Sequence, residues 1–256
     1  MLLACDIGNT TITWGLFDGQ TLKAHWRISS RPQKTQDEYR VVLLDLLRAA
    51  GIFLDQITGS IVCSVVPALT AGLHPLLESM SHHRPLLVNH TLDFGLRLDH
   101  YPRPDEIGPD RLVNAAAAYA RSRKSLIVVD CGTATTFDVV SHAGEFLGGA
   151  IAPGLGIAAE ALSLRTAKLP KVELRRPKSA IGHDTVTSMQ AGLLIGYAGL
   201  IDGLVTRMQQ ELPHPAIVIA TGGLAPIVAP ECRTIEEVCP HLTLEGLELL
   251  YRRENS

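Results

Sequence analysis

A chain of 256 residues, 46% hydrophobic and 19% charged, carries enough apolar material for one large core or two modest ones. Its 23 Lys and Arg against 26 Asp and Glu leave a formal charge of -3, which excludes a general electrostatic draw toward nucleic acid or an anionic membrane. Asp6 stands too early for a signal-peptide core, and no uncharged apolar run approaches the ~18 residues of a membrane span, so a soluble cytoplasmic protein is expected.

In chain order, residues 2–7 predict a strand interrupted only by Asp6, and Gly8-Asn9-Thr10 predicts a polar turn. Strands follow at 11–17 and 22–28, separated by Asp18-Gly19. Residues 60–65 read as a strand, 69–79 as a short helix and 84–89 as another strand. The segment 91–108, with Pro102 and Pro104, reads as a loop. Pro109 then opens a helix to about residue 123, with Leu112, Ala115, Ala116 and Tyr119 as its buried stripe.

From Leu126 the opening arrangement returns. Ile127-Val128-Val129 leads into Asp130-Cys131-Gly132-Thr133, with strands at 137–140 and 146–151 around an Ala143-Gly144 turn. Helices are expected at 158–164 and within 185–210, and a last core strand at 216–221 before Gly222-Gly223. Gly192, Gly196, Gly199 and Gly203 lie three or four residues apart, which suits close helix packing within the chain or between two copies. Both copies read apolar strand, Asp, any residue, Gly, two residues, Thr. One such motif is cheap; two, each at a strand-to-turn junction, point to duplicated α/β domains facing one another across a cleft. The five cysteines form no CxxC pair and read as reduced and mostly buried.

Asp6 at a strand end can orient a hydrated Mg²⁺, and Gly8 lets the backbone turn toward phosphate. Asn9, Thr10, Thr11 and Thr13 add short polar groups, with the direction of Thr13 left open. Asp130, Gly132, Thr133 and Thr135 repeat that chemistry, so the pair of turns suits a cation-bound polyphosphate. Tight capped hairpins with no ligand are the competing reading. No GxxxxGK[ST] or HExxH occurs, and Gly154-Leu155-Gly156-Ile157-Ala158-Ala159 lacks the following strand and acid of a dinucleotide site. Gly108-Pro109-Asp110-Arg111 sets a carboxylate beside a guanidinium at a helix start. Asp110 there can accept a substrate proton while Arg111 binds acidic oxygens, unless the pair is only a cap and a surface ion pair.

The ordered set Asp6–Thr10, Gly108–Arg111, Asp130–Thr136, Gly148–Gly154, the 182–192 segment and Thr221-Gly222-Gly223 resembles the type III pantothenate kinase family, including proteins named Bvg accessory factor. The resemblance covers essentially the whole chain. It implies a duplicated ribonuclease-H-like (actin-like ATPase) α/β fold, with domains expected at 1–111 and 112–256. It implies ATP-dependent phosphorylation of pantothenate with Mg²⁺, a monovalent cation (K⁺ or NH₄⁺), and a homodimer. By motif, Asp6, Ile7, Gly8, Asn9, Thr10, Thr11, Ile12 and Thr13 match the first nucleotide phosphate site, and Thr133 a second nucleotide contact. Asp110 matches the catalytic carboxylate, Asp130 the monovalent-cation residue, and Tyr101, Gly108, Pro109, Asp110, Arg111 and Thr185 the substrate side. Thr11, His100 to Pro104 and His183-Asp184 depart from the commoner pattern and bear on the pantothenate contacts. Another small-molecule alcohol kinase and a non-catalytic regulatory protein are the alternatives.

Overall fold

The computed structural model describes residues 1–255. In chain order the principal elements are β1 Leu2–Ile7, β2 Thr11–Asp18, β3 Thr21–Ser29, α1 Gln36–Ala49, β4 Gly59–Ser64, α2 Pro67–Ser81, β5 Leu86–Leu87 and α3 Pro109–Ser122. Then come β6 Leu126–Cys131, β7 Ala134–Val140, β8 Phe146–Pro153, α4 Leu155–Arg165, α5 Thr185–Glu211, β9 Ile217–Thr221, the short α6 Ala225–Val228, β10 Glu237–Val238 and α7 Leu242–Glu254.

The first sheet has the order β3-β2-β1-β4-β5, with β1, β2 and β3 antiparallel neighbours and β4 and β5 joining parallel. Alternation sorts its side chains. Leu3, Cys5 and Ile7 of β1, with Ile12, Trp14 and Leu16 of β2, share a core with Tyr39, Leu43 and Leu47 of α1 and with Leu69, Leu73, Leu76 and Leu77 of α2. The other face meets α7: Leu244 packs where Gly15 has no side chain, and Tyr251 where Gly59 has none.

The second sheet repeats that plan as β10-β9-β6-β7-β8, so β6 takes the place of β1 and β9 that of β4. Ile127, Val129, Phe137, Val139, Val218 and Ala220 form its core with Leu193, Leu194, Tyr197, Ile201 and Val205 of α5. By length and apolar content α5 would suffice to cross a membrane, but this stripe is buried in the core. The duplication expected from the two Asp motifs is therefore a duplication of strand order.

The chain divides into two compact units, and the division does not follow one cut in the sequence. The first unit takes residues 1–95, 103–117 and the chain from Leu242 onward; the second takes 96–102 and 118–241. The expected split into 1–111 and 112–256 differs from this at both ends, because α3 passes from one unit to the other at Ala117/Ala118 and α7 packs on the first sheet. Two helices, α1 and α7, were not expected from the sequence. The expected strand at 84–89 is only Leu86–Leu87, and the expected helix at 158–164 starts earlier, at Leu155.

The glycine row on α5 does not pack inside the chain. All four glycines are exposed, and among the described residues nothing lies within 4 Å of where a Cβ would stand on Gly192, Gly196, Gly199 or Gly203. The helix buries its opposite face.

Candidate functional site

In the first unit, Asp6 stands one residue before the end of β1, in register with Thr13 on β2 and Cys63 on β4. Residues directly opposite in a sheet share a face, so these three side chains are neighbours. The direction of Thr13 is thereby settled. Ile7 and Ile12 pair with each other on the opposite face, 0% exposed in the core, so only their backbone belongs to the turn.

Gly8 N–H donates to Thr11 O at 3.0 Å and closes the turn. Ser30 ties it from the end of β3, its N–H donating to Thr10 O at 3.0 Å and its Oγ to Gly8 O at 2.5 Å. Tyr39 of α1 in turn holds Arg31, accepting from its N–H at 2.9 Å and donating to its carbonyl at 3.0 Å. Asn9 and Thr10 are left exposed at the tip. Ser30 was not visible in the sequence, since its role depends on where β3 ends. Tyr39 had a signal: Thr35-x-x-Glu38 is a capping box, with Glu38 N–H donating to Thr35 Oγ1 at 3.3 Å and Thr35 N–H to Glu38 Oε2 at 2.7 Å.

Asp110 occupies the first turn of α3, and its Oδ1 accepts from Arg111 N–H at 2.9 Å. Burial raises its pKa, and the Arg111 N–H and guanidinium only partly offset this. Gly108 makes room for the carboxylate: a Cβ there would stand 2.5 Å from Asp110 Oδ1. Cys63 is within electrostatic reach of both Asp6 and Asp110, so the first unit gathers Asp6, Thr13, Asp110 and Arg111 around the ends of β1 and β4.

In the second unit, Asp130 stands one residue before the end of β6, opposite Thr136 on β7 and Thr221 on β9. Thr133 is exposed at the tip of the turn. Gly154 is required below it, because a Cβ there would stand 2.6 Å from Gly132 O. The dinucleotide look-alike at Gly154 is thus a packing contact under this turn. Tyr197 of α5 hydrogen-bonds Thr135 and donates to Pro153 O at 2.8 Å, tying the start of β7 to the end of β8 beside the turn. Gly222, at φ +90°, has its α-carbon against the Asp130 carboxylate and the Cys131 backbone, where a side chain would collide.

Tyr101 stacks edge-on against Phe146, ring centroids 5.7 Å apart. Thr185 is the exposed first residue of α5, whose N-cap Asp184 accepts from Thr187 N–H at 2.7 Å. That bond holds the Asp184 carboxyl below its ordinary range, and its role is capping.

Both turns fit a phosphate chain: each offers a half-exposed carboxylate at a strand end, a glycine backbone and exposed short polar side chains. Among the described residues no three His, Cys, Asp or Glu side chains gather as a metal cluster. A hydrated Mg²⁺ bound chiefly by phosphate and water asks for only one or two carboxylates.

A sequence profile of the family described as type III pantothenate kinase matches residues 2–207. The type III pantothenate kinase of Geobacter sulfurreducens is 51% identical over 253 residues, covering 99% of each chain. That of Moorella thermoacetica is 49% identical over 253 residues, with the same coverage. Component A of (R)-2-hydroxyglutaryl-CoA dehydratase from Acidaminococcus fermentans superposes with a TM-score of 0.59 at 15% identity, covering 100% of this chain and 99% of that one. At that identity the likeness speaks for the fold, which is the duplicated actin-like ATPase fold.

Proposed function

The chain belongs to the type III pantothenate kinase family, and on that premise we propose how its residues divide the work of moving the ATP γ-phosphoryl group to the primary hydroxyl of pantothenate. The products are 4′-phosphopantothenate and ADP. The nucleotide brings the phosphoryl group, and its Mg²⁺ neutralises charge on the transferring oxygens.

Asp110 accepts the proton of the attacking hydroxyl as its oxygen bonds to phosphorus and the bond to the ADP oxygen breaks. Burial supports this role, because a carboxylate with a raised pKa is a better base than an exposed one. Arg111, beside it, faces the acidic oxygens of substrate or phosphoryl group. Asp6 orients the hydrated Mg²⁺, and the Gly8–Thr11 turn receives phosphate through its backbone and through Asn9, Thr10 and Thr13. Thr133 makes a second nucleotide contact, and Asp130, backed by Gly222, takes a monovalent cation. Tyr101 and Thr185 serve pantothenate. The observation that carries the reading is Asp110 itself, half-buried at a helix start in space that Gly108, lacking a side chain, leaves open.

A cytoplasmic homodimer completes the proposal. The exposed glycine row of α5 supports it, being a strip without side chains that none of the described residues covers.

The test is formation of phosphopantothenate by purified protein with ATP, Mg²⁺ and pantothenate, in KCl and NaCl at matched ionic strength. Product in KCl with a much slower rate in NaCl is expected, and Asp130→Ala should lose both ATP use and the preference for potassium. Screening by salt would not distinguish the two cations. No product in any salt would overturn the catalytic assignment; equal wild-type rates in both would remove the cation from Asp130.

A further inference from the structure

One buried group beside the candidate site has no part in the roles above: the thiol of Cys63. We propose that Cys63 is a positioning residue, whose S–H donates to the Asp6 carboxylate and fixes the direction in which that carboxylate faces the nucleotide's hydrated cation. The inference rests on the reading of Asp6 as the Mg²⁺-orienting residue.

The geometry comes from the sheet. β1 and β4 run parallel with Asp6 directly opposite Cys63, so both side chains leave the same face as nearest neighbours. Cys63 is 0% exposed, whereas Asp6 is half-buried, so a buried sulfur lies beside a carboxylate that still reaches solvent. That opposition puts the thiol where it can donate to the Asp6 carboxylate. Thiols are ordinarily protonated at neutral pH. Cys63 is therefore a neutral donor opposite a carboxylate. An S–H is a weak donor, but a bond to an ionised acceptor is about twice as strong as a neutral one.

The second unit shows that this support is not a general property of the fold. There the residue opposite Asp130 is Thr221, whose hydroxyl donates to Cys239 O at 2.8 Å, while the Asp130 carboxylate lies against Gly222. The residue opposite the acid therefore differs between the two sheets, a buried thiol in the first and a hydroxyl already donating to a backbone carbonyl in the second.

The test compares Cys63→Ala, Cys63→Ser and Asp6→Asn with wild type. It measures MgATP affinity by calorimetry, the KM for pantothenate, apo-protein melting, and the infrared S–H stretching band. Cys63→Ala should weaken MgATP binding by roughly fivefold to tenfold, the scale of one ordinary hydrogen bond, as suits a weak thiol donor, with the pantothenate KM unchanged. Cys63→Ser, which keeps a donor, should bind MgATP within about twofold of wild type on the same scale. The S–H band lost in Cys63→Ala should shift in Asp6→Asn, a readout that stands even where the alanine variant folds poorly. Wild-type affinity in Cys63→Ala beside a weakened Asp6→Asn would overturn the positioning role and leave the Asp6 reading intact. So would a serine variant as impaired as the alanine one, or an unshifted band. Undiminished MgATP affinity in Asp6→Asn would instead remove the Asp6 reading, and the role of Cys63 with it.

Discussion

Asp110 is pulled in two directions. The positive end of α3 and the Arg111 guanidinium favour its charged form, while burial disfavours it, and burial wins. A carboxyl whose folded pKa lies above its unfolded one adds stability below the unfolded pKa and loses it as pH rises through the folded pKa. At neutral pH the ionised Asp110 therefore costs folding free energy, which is the expected condition of a residue kept for chemistry. Asp110→Asn should lower turnover by roughly 10²–10⁴-fold, the usual scale of positioned acid–base catalysis. The same variant should melt above wild type near pH 7, with the gap closing as pH falls toward the ordinary carboxyl range of about 4. Steady-state kinetics and melting curves across that range check both halves. Near-normal turnover would remove Asp110 from catalysis, and a D110N protein that melts lower at pH 7 would show the carboxylate to be a structural cap.

At the scale of elements, α5 is the informative case. Four glycines in a helix cost roughly 3–4 kcal/mol relative to alanine, and no close packing within the chain offsets that cost. Their exposed surface, with Ile195 beside them at 37% exposure, is suited to a second copy of the helix at short range. Sedimentation of wild type should give a dimer. Gly196→Glu combined with Gly199→Glu should give a monomer with unchanged helical content, because both positions have open space in a single chain. A double variant that sediments as wild type does would exclude this face as the interface.

For the whole molecule the decisive feature is the return of the last helix to the first sheet. Leu242, Leu244, Leu247 and Leu250 are buried, and four such leucines are worth roughly 6–12 kcal/mol, comparable to the full stability of a domain. The first unit therefore remains incomplete until nearly the whole chain is available. Truncation after His241 should abolish the cooperative unfolding of the first unit and expose the sheet face that carries Asp6 and Cys63. The second unit, which contains no residue beyond 241, should keep its own transition. Calorimetry showing both transitions unchanged would contradict this account.

The sequence by itself determined the repeated strand–Asp–turn motif, the helix start at Pro109 and the family. Each is written in local chemistry: an acid closing an apolar run, a glycine two residues later, proline at a helix start. Helix α1 went unread, although the capping box at Thr35 and Glu38 and the spacing of Tyr39, Leu43 and Leu47 are local signals for it. Only the tertiary structure decided that Thr13 shares a face with Asp6 while Ile7 and Ile12 do not, because a face is assigned by register with another strand. Only it brought Cys63 to Asp6, Ser30 to Gly8 and Gly222 to Asp130, pairs far apart in sequence. It also showed that α7 belongs with β1. Long-range pairing depends on how apolar faces find one another once the chain closes, and no local spacing encodes it.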